Sequence, residues 1–319
     1  MGQLTFQLNN GFPIPALGLG TWKSDLGQVA GSVKEAIKCG YRHIDCAYIY
    51  GNQKEIGQAL AECFEEGLCK REDLFITSKL WNDSHDPKDV MPALQETLDE
   101  LQLAYLDMYL IHWPVSIKKN VNFDEKTPDD VISLQDLPIS KTWEAMEKCV
   151  EAGKTRGIGV SNFSQKKIEN LLQSARIPPA INQIERHPYL AQPALVDYCK
   201  HKGIHVTGYS PLGSMDRPAS LRQENEPIIL EDITIKDIAK KHGATTCAQV
   251  LLKWAIQTGT SVIPKSVKPH RIAENLASVD IVLDQQDMAA IAKLDKHRRY
   301  VDGKFWCIGP YTIENLWDE

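Results

Sequence analysis

The sequence predicts an α/β fold, one (β/α)8 TIM barrel, and three observations favour it. Eight short apolar runs, typical of buried strands, alternate with segments whose apolar residues recur at helical spacing. No break in composition divides the 319 residues, which favours one closed parallel barrel over an open doubly wound sheet, and a single domain over residues 1–319. Polar residues end several of these runs, as they do at the mouth of a barrel enzyme.

The strands are predicted in order along the chain. Leu4, Phe6 and Leu8 alternate and lead into Asn10-Gly11, a strong signal for a two-residue hairpin loop, so we expect a β-hairpin lid over the N-terminal end of the barrel. The first barrel strand is predicted within residues 17–20. The other seven are predicted to end at or near Asp45, Lys79, Ile111, Val160, Ile184, Tyr209 and Ile263.

The helices are predicted between these strands from apolar residues spaced three or four positions apart. One such face follows the third barrel strand and comprises Val90, Ala93, Leu94, Thr97, Leu98 and Leu101. The pattern therefore indicates repeated β-α units.

Two stretches interrupt this alternation, residues 114–140 and residues 297–319. Long irregular segments of compact domains are usually functional loops or disorder, and Trp306, Tyr311 and Trp317 argue against disorder in the second. We expect both to be long loops at the C-terminal mouth of the barrel. Packing of the tail against the outer helices is the alternative.

Composition excludes several classes of protein. With 43% hydrophobic and 24% charged residues, the chain is expected to bury a sizeable core, and its net charge of −6 disfavours nucleic acid or an anionic membrane as a partner. The first ten residues lack a basic and apolar secretion signal, and no apolar stretch approaches the length of a membrane span. The eight cysteines form no CxxC pair, so reduced thiols in a cytoplasmic protein are expected.

Four polar residues suggest the chemistry. Asp45, Lys79 and His112 each end an apolar run, and Tyr50 follows the first of these runs by five residues. A nearby lysine cation should lower the pKa of a tyrosine, an aspartate can hold that lysine, and a histidine can orient a carbonyl or pass a proton. Each residue alone is better explained by an ordinary ion pair or by packing, whereas all four together favour a catalytic tetrad.

Longer motifs contain these residues. They are 40–47 with 50–57, then 106–114, and finally 263–267 with Arg271, Glu274 and Asn275. The three motifs resemble the signatures of the aldo-keto reductases, and the resemblance, closest to the aldose or aldehyde reductase branch, runs from about Gly11 to Leu294. It implies a monomeric oxidoreductase that reduces aldehydes or ketones with NADPH and without a metal. It also implies that Tyr50 is the general acid, that Lys79 and Asp45 tune it, and that His112 orients the substrate.

The Rossmann fingerprint is absent, since Gly18-Leu19-Gly20 lacks a third glycine. The cofactor prediction therefore depends on the same resemblance. The residues that it implies for NADPH/NADP+ are Thr21, Trp22, Ser161, Asn162, Gln183, Tyr209, Ser210, Leu212, Ser214, Lys265, Ser266, Val267, Arg271, Glu274 and Asn275. Lys265, Lys268, His270 and Arg271 form a basic cluster in an acidic protein, which suits the 2′-phosphate of NADP. A solvated charged surface is the alternative.

The substrate is predicted to bind among aromatic residues near the strand ends. These are Trp22, Trp81 and Trp113, with Phe123 from the long loop and Trp306 from the tail. Two features depart from aldose reductases, namely Ala219 in place of a bulky tryptophan and the course of residues 298–319. Sugar, aliphatic aldehyde, quinone and steroid therefore all remain open as substrates.

Two other functions remain as alternatives. His43 and Asp45 form an H-x-D pair that could ligate a metal with His112, as in a metal-dependent barrel hydrolase. The absence of a His-x-His pair and the cation of Lys79 argue against that site. A barrel that binds the cofactor without turnover is the second alternative, and the intact tetrad argues against it.

Overall fold

The elements alternate as the periodicity predicts in the computed structural model, which describes residues 4–243 and 246–319. In chain order the strands are β1 (Thr5–Gln7), β2 (Pro13–Pro15), β3 (Leu19–Gly20), β4 (His43–Asp45), β5 (Phe75–Leu80), β6 (Met108–Ile111), β7 (Ser116–Ile117), β8 (Val131–Ile132), β9 (Ile158–Ser161), β10 (Ile181–Glu185), β11 (His205–Tyr209) and β12 (Ser261–Val262). The helices are α1 (Val29–Cys39), α2 (Gln53–Glu65), α3 (Pro87–Leu101), α4 (Ile139–Glu151), α5 (Gln165–Leu172), α6 (Pro193–His201), α7 (Ile233–Lys241), α8 (Cys247–Gln257), α9 (Pro269–Leu276), α10 (Gln285–Ala292) and α11 (Ile313–Trp317). Each of the seven predicted strand ends lies within one residue of the observed end.

Eight parallel strands form one sheet in the order β3, β4, β5, β6, β9, β10, β11, β12. The sheet closes on itself, since the Gly18 amide donates to the Val262 carbonyl at 2.8 Å and the Val262 amide donates to the Ala16 carbonyl at 3.0 Å. The (β/α)8 barrel predicted from the sequence is therefore confirmed.

Gly18 and Gly20 have a structural explanation in this closure. A Cβ atom on Gly20 would lie 2.6 Å from the Ile263 carbonyl oxygen, and one on Gly18 would lie 2.6 Å from Nδ1 of His43. Both distances are well inside van der Waals contact, so glycine at position 20 lets the first strand approach Ile263, just after the last strand, and glycine at position 18 leaves room for the His43 ring.

The predicted hairpin covers the N-terminal end of the barrel. β1 and β2 pair with Phe6 opposite Ile14, and the loop between the pairing residues Leu8 and Phe12 has three residues rather than two, with Gly11 at φ +87°. Its buried side chains pack on the first residues of several barrel strands. That small core comprises Leu8, Ile14, Phe75, Met108, Leu110, Ala180 and Ile181.

The helices cover the outside of the barrel with one apolar face each, and α3 illustrates the local rules. The Asp86 carboxylate caps its first turn by accepting from the Lys88 amide, and Pro87 occupies the first helical position, where no amide donor is needed. Gln102 ends the helix in the left-handed region. The face buried against the strands comprises Val90, Leu94, Thr97, Leu98 and Leu101.

The two irregular stretches meet at the C-terminal mouth. β7 and β8 pair antiparallel within the first stretch, and the tail, residues 297–319, packs on it. Together they form a second core, the mouth cluster, of Trp81, Trp113, Val115, Ile117, Val301, Trp306, Tyr311, Leu316 and Trp317. The tail also contains α11, which the sequence did not predict, because Thr312 and Asn315 form a reciprocal capping box after Pro310.

Segments outside the barrel strands therefore border the mouth.

Within residues 4–243 and 246–319, none of the helices has both the length and the apolar character needed to cross a bilayer.

Candidate active site

Neighbouring strands bring the four polar residues together. Asp45 is the last residue of β4, Lys79 lies in β5, and His112 directly follows β6, so the register of three adjacent parallel strands aligns them at one edge. Tyr50 ends a short 3-10 turn that leaves β4. The proximity of the predicted tetrad is thus a consequence of strand order.

Lys79 is the centre of this group. Its Nζ donates to Asp45 Oδ1 at 2.5 Å, to the Cys46 carbonyl at 2.8 Å and to the Tyr50 hydroxyl oxygen at 3.4 Å. The second oxygen of Asp45 accepts from Gln183 Nε2 at 2.7 Å. Both members of the ion pair are buried, so each depends on the other to offset its desolvation.

Tyr50 carries its proton firmly in this arrangement. Burial, followed by the nearby Asp45 carboxylate, raises the pKa of the Tyr50 hydroxyl well above its ordinary value. The direction is opposite to the one expected from a lysine neighbour. Asp45 contacts the Lys79 ammonium directly and neutralises it, which leaves desolvation of the phenolate as the larger effect.

His112 is an uncharged ring. Burial, and then the charge of Lys79, holds its pKa well below the usual value, so the imidazole is neutral near pH 7. The ring contacts Tyr50 and Trp81 edge-on, with centroids 5.8 and 5.4 Å away. A neutral imidazole at this position can donate one hydrogen bond but cannot act as a cation.

A cavity of about 1240 Å³ opens above these residues. Asp45, Tyr50 and His112 line it, whereas Lys79 lies beneath its floor. The residues predicted to bind the cofactor all line the same cavity, and they are Thr21, Trp22, Ser161, Asn162, Gln183, Tyr209, Ser210, Leu212, Ser214, Lys265, Ser266, Val267, Arg271, Glu274 and Asn275. Trp81, Trp113 and Phe123 form an aromatic wall near His112.

Trp306 departs from its expected place. Its side chain is fully buried behind Trp81 and Phe123, with centroids at 5.8 and 5.1 Å, and it supports the wall without lining the cavity. The neighbouring Phe305 lines the cavity instead. The sequence pointed to Trp306 and not to Phe305, because no strand or helix periodicity in the tail shows which ring faces inward.

The floor of the cavity is a hydrogen-bonded layer. The Tyr209 hydroxyl donates to Asn162 Oδ1 at 2.7 Å, and Asn162 Nδ2 donates to the His112 carbonyl at 3.0 Å. Ser161 donates to the Gln183 carbonyl at 2.9 Å. These contacts join the ends of β6, β9, β10 and β11 into one rigid base that also holds His112.

Four non-glycine residues that line the cavity have a left-handed backbone. Lys23, Asn162, Ser210 and Ser214 line it and have φ between +48° and +63°, a region that costs non-glycine residues on the order of 1 kcal/mol or more. Packing must hold such conformations in place. Their position at the mouth supports a functional role for the cavity.

Lys23 and Asp216 also line the cavity, although no sequence pattern predicts them. Nζ of Lys23 donates to Ser214 Oγ and to Asp216 Oδ1, both at 2.6 Å, and Lys265 pairs with the other oxygen of Asp216 at 3.0 Å. These contacts hold the loop after β11 across the cavity. No spacing signal could reveal a pair separated by 193 residues.

The alternative metal site finds no support in the geometry. His43 is buried, its Nε2 contacts Thr77 Oγ1 at 3.1 Å, and burial lowers its pKa to about 3. Among residues 4–243 and 246–319, no three His, Cys, Asp or Glu side chains are grouped so that they could hold a metal ion.

The chain is similar to known proteins over nearly its whole length. Residues 16–296 match the model of the Aldo/keto reductase family. An aldo/keto reductase of Synechocystis is 54% identical over 98% of this chain and 96% of its own length, and aldo-keto reductase family 1 member A1 of Gallus gallus is 47% identical over 92% of this chain and 89% of its own. The solved aldose reductase of Schistosoma japonicum superposes with a TM-score of 0.85 at 38% identity, over 98% of this chain and 96% of that chain.

Proposed function

Because the chain belongs to the aldo/keto reductase family, we propose that it reduces aldehydes and ketones to alcohols, with NADPH as the cofactor and Tyr50 as the general acid. One observation carries the proposal. The Tyr50 hydroxyl, the buried Lys79–Asp45 pair beneath it and the neutral His112 meet at a cavity that the cations Lys265 and Arg271 also line.

The cavity fits a phosphorylated dinucleotide. The amide side chains of Asn162 and Gln183 on its floor suit the carboxamide of a nicotinamide, and Tyr209 offers a ring for stacking. The loop carrying Ser210, Leu212 and Ser214 suits the pyrophosphate. NADPH, when bound, supplies the hydride to the carbonyl carbon.

Lys265 and Arg271 are proposed to select the 2′-phosphate. Both line the cavity, and Arg271 lies in the first turn of α9, where the helix dipole also favours an anion. The remaining cofactor candidates also line the cavity, and they are Thr21, Trp22, Ser266, Val267, Glu274 and Asn275.

The proton comes from the protein. A tyrosine whose pKa is raised is protonated near neutral pH, so its hydroxyl can donate to the carbonyl oxygen as the carbon is reduced. Lys79 Nζ, 3.4 Å from the same oxygen, can stabilise the phenolate that forms. His112 is proposed to orient the carbonyl through one ring N–H.

Substrates with an apolar substituent are favoured by the aromatic wall. Trp22, Trp81, Trp113 and Phe123, joined by Phe305 from the tail, enclose the space beside His112. We further propose a monomeric, single-domain enzyme, because the cavity needs no residue from a second chain, and a location in the cytoplasm, because all eight cysteines are free thiols. Sedimentation would test the monomer.

The proposal is tested by following NADPH oxidation at its absorbance with benzaldehyde. The wild type should consume NADPH, whereas Tyr50→Phe should lose about 100-fold or more of its turnover, the usual contribution of a general acid. NADPH binding should be nearly unchanged, because only one hydroxyl is removed. Tyr48→Phe, in the same short turn, is the matched control.

A wild type that binds NADPH without consuming it would favour the silent binding barrel. Near-normal turnover in Tyr50→Phe would reject Tyr50 as the acid.

A further inference from the structure

Glu185, the last residue of β10, holds the start of the tail. Its carboxylate is buried and accepts from two consecutive backbone amides, those of Tyr300 at 2.7 Å and Val301 at 2.8 Å. A third contact comes from His187 Nε2 at 2.8 Å, and the His187 ring lies 4.9 Å from the ring of Tyr300. A barrel strand thereby fixes the point at which the tail enters the mouth.

Tyr300 reaches in the opposite direction, toward the cofactor side of the cavity. Its hydroxyl donates to the Pro227 carbonyl at 2.7 Å, and its ring packs so closely on Gly213 that an added Cβ would lie 3.2 Å from Cε2. The Arg217 guanidinium lies 5.0 Å from the ring centroid. These three partners belong to residues 210–228, the segment called the coenzyme loop below.

The coenzyme loop is organised as one unit. Arg217 is fully buried and donates to the carbonyls of Ser214 and Leu221 at 3.2 and 3.0 Å, and it pairs with Glu226. Asp216, beside it, is held by Lys23 and Lys265. A shift at either end of this loop must therefore move the guanidinium and the Tyr300 ring that contacts it.

On its other side, Tyr300 leads directly into the substrate wall. Val301 lines the cavity and belongs to the mouth cluster, and Phe305 follows within one short turn. Tyr300 is thus a residue through which the cofactor side and the substrate side of one cavity share contacts, and Arg298 adds a further bond between the tail and the loop, to Gln223 at 2.9 Å.

We propose that Tyr300, anchored by Glu185, is a positioning residue that couples the two binding events. Cofactor bound against the coenzyme loop holds Tyr300 in place and with it Val301 and Phe305, so bound cofactor strengthens substrate binding. Because coupling between sites is reciprocal, substrate must strengthen cofactor binding by the same factor. The proposal rests on the proposed function.

Calorimetric titration of NADP⁺ into the protein, alone and with saturating benzaldehyde, measures this factor. Both ligands are oxidised, so no hydride passes and the ternary complex is at equilibrium. In the wild type, benzaldehyde should lower the Kd of NADP⁺. Tyr300→Phe removes one hydrogen bond and keeps the ring, so the ratio of the two Kd values should fall toward one by about two- to tenfold.

Steady-state kinetics give a second readout. In Tyr300→Phe the KM of benzaldehyde should rise by a similar factor while kcat stays nearly constant, since no reacting atom is touched. Tyr189→Phe is the matched control, because its hydroxyl also makes a 2.7 Å bond, to Asp232, yet Tyr189 does not line the cavity. It should keep the wild-type ratio.

Glu185→Gln is the second variant. Its amide offers one carbonyl oxygen to the two backbone donors and directs an N–H group at the other, so coupling should again be lost. An unchanged Kd ratio in both variants, an equal loss in Tyr189→Phe, or a ratio of one in a wild type that turns over would overturn the coupling. A wild type that neither binds NADP⁺ nor consumes NADPH would overturn the proposed function itself and the coupling with it.

Discussion

At the scale of single residues, the Lys79–Asp45 pair has both a structural and a chemical role. The ammonium has three partners within 3.4 Å, and the side chains of both ions are almost wholly buried. Removing one member of such a pair leaves a buried charge without compensation, which typically costs about 3–5 kcal/mol. Loss of stability and loss of turnover are two different effects of removing one member of the pair, and variants can distinguish them.

Lys79→Met is expected to lower both the melting temperature and kcat. The first follows from the unpaired Asp45 carboxylate, and the second from the loss of the donor to the Tyr50 oxygen. In the double variant Lys79→Met/Asp45→Asn most of the melting temperature should return while turnover stays low. Recovery of turnover together with stability would make the pair purely structural. Thermal unfolding and NADPH oxidation measure the two quantities.

Arg271 is predicted to select NADPH over NADH. Lys265 is already engaged by Asp216, whereas Arg271 makes no ion pair with the residues in 4–243 and 246–319. Arg271 is exposed, so solvent and salt screen its charge-assisted bond to a phosphate. Arg271→Ala should therefore weaken the binding of NADPH about five- to tenfold. NADH affinity should change little. Fluorescence titration with both cofactors measures these affinities, and His270→Ala, at an exposed residue, is the control. An equal loss of affinity for NADPH and NADH would make Arg271 structural.

At the scale of elements, the tail both supports the aromatic wall and places a side chain in the cavity, where it is expected to help select the substrate. Trp306 and Phe305 are neighbours, but the first is fully buried behind the aromatic wall and the second lines the cavity. Truncation before Gly303 would remove both roles at once, along with much of the mouth cluster. Point variants can distinguish them.

Phe305→Ala is expected to change the ratio of kcat/KM between a bulky aromatic aldehyde and a small aliphatic one, with a small effect on melting temperature. Trp306→Ala should cost about 3–5 kcal/mol of stability, as is usual for a buried aromatic. Thermal unfolding and kinetics with two aldehydes measure these effects. An equal change for both aldehydes in Phe305→Ala would remove the tail from substrate selection.

At the scale of the whole molecule, buried neutral histidines make the barrel sensitive to acid. Burial lowers the pKa of His43 and His85 to about 3 and that of His205 to about 4. In the unfolded chain each would titrate near its ordinary pKa of about 6.5. Below that pH the unfolded state binds protons that the folded state does not, so stability is retained above pH 6.5 and lost as pH falls toward 4.

The melting temperature is accordingly expected to decline from pH 6.5 to pH 4, with each buried histidine contributing up to about 1.4 kcal/mol per pH unit. His85→Asn should remove the contribution of one proton from the pH dependence of the unfolding free energy. Exposed His201→Asn is the matched control. An unchanged slope in His85→Asn would show that this ring does not govern the acid response. Calorimetry across this pH range provides the measurement.

Much of the barrel was predictable from local pattern. Apolar runs of strand length and helical spacing are properties of neighbouring residues, so all eight barrel strands were located and the hairpin lid was recognised. The tetrad converged because parallel strands of known order bring their ends to one edge, and the lining of the cavity by the fifteen cofactor candidates follows from the same geometry. The chemistry proposed for these residues rests on the motifs.

Tertiary structure alone decided the contacts that span the chain. The pairs Lys23–Asp216 and Glu185–Tyr300 join residues 193 and 115 positions apart, and no periodicity connects them. The inward turn of Phe305 rather than Trp306 depends on how the tail packs. The raised pKa of Tyr50 depends on desolvation, which exists only in the folded chain. By itself the sequence determined the strands, the helices and the residues at the strand ends, because these follow from local spacing, while burial and long-range contact determined how those residues interact.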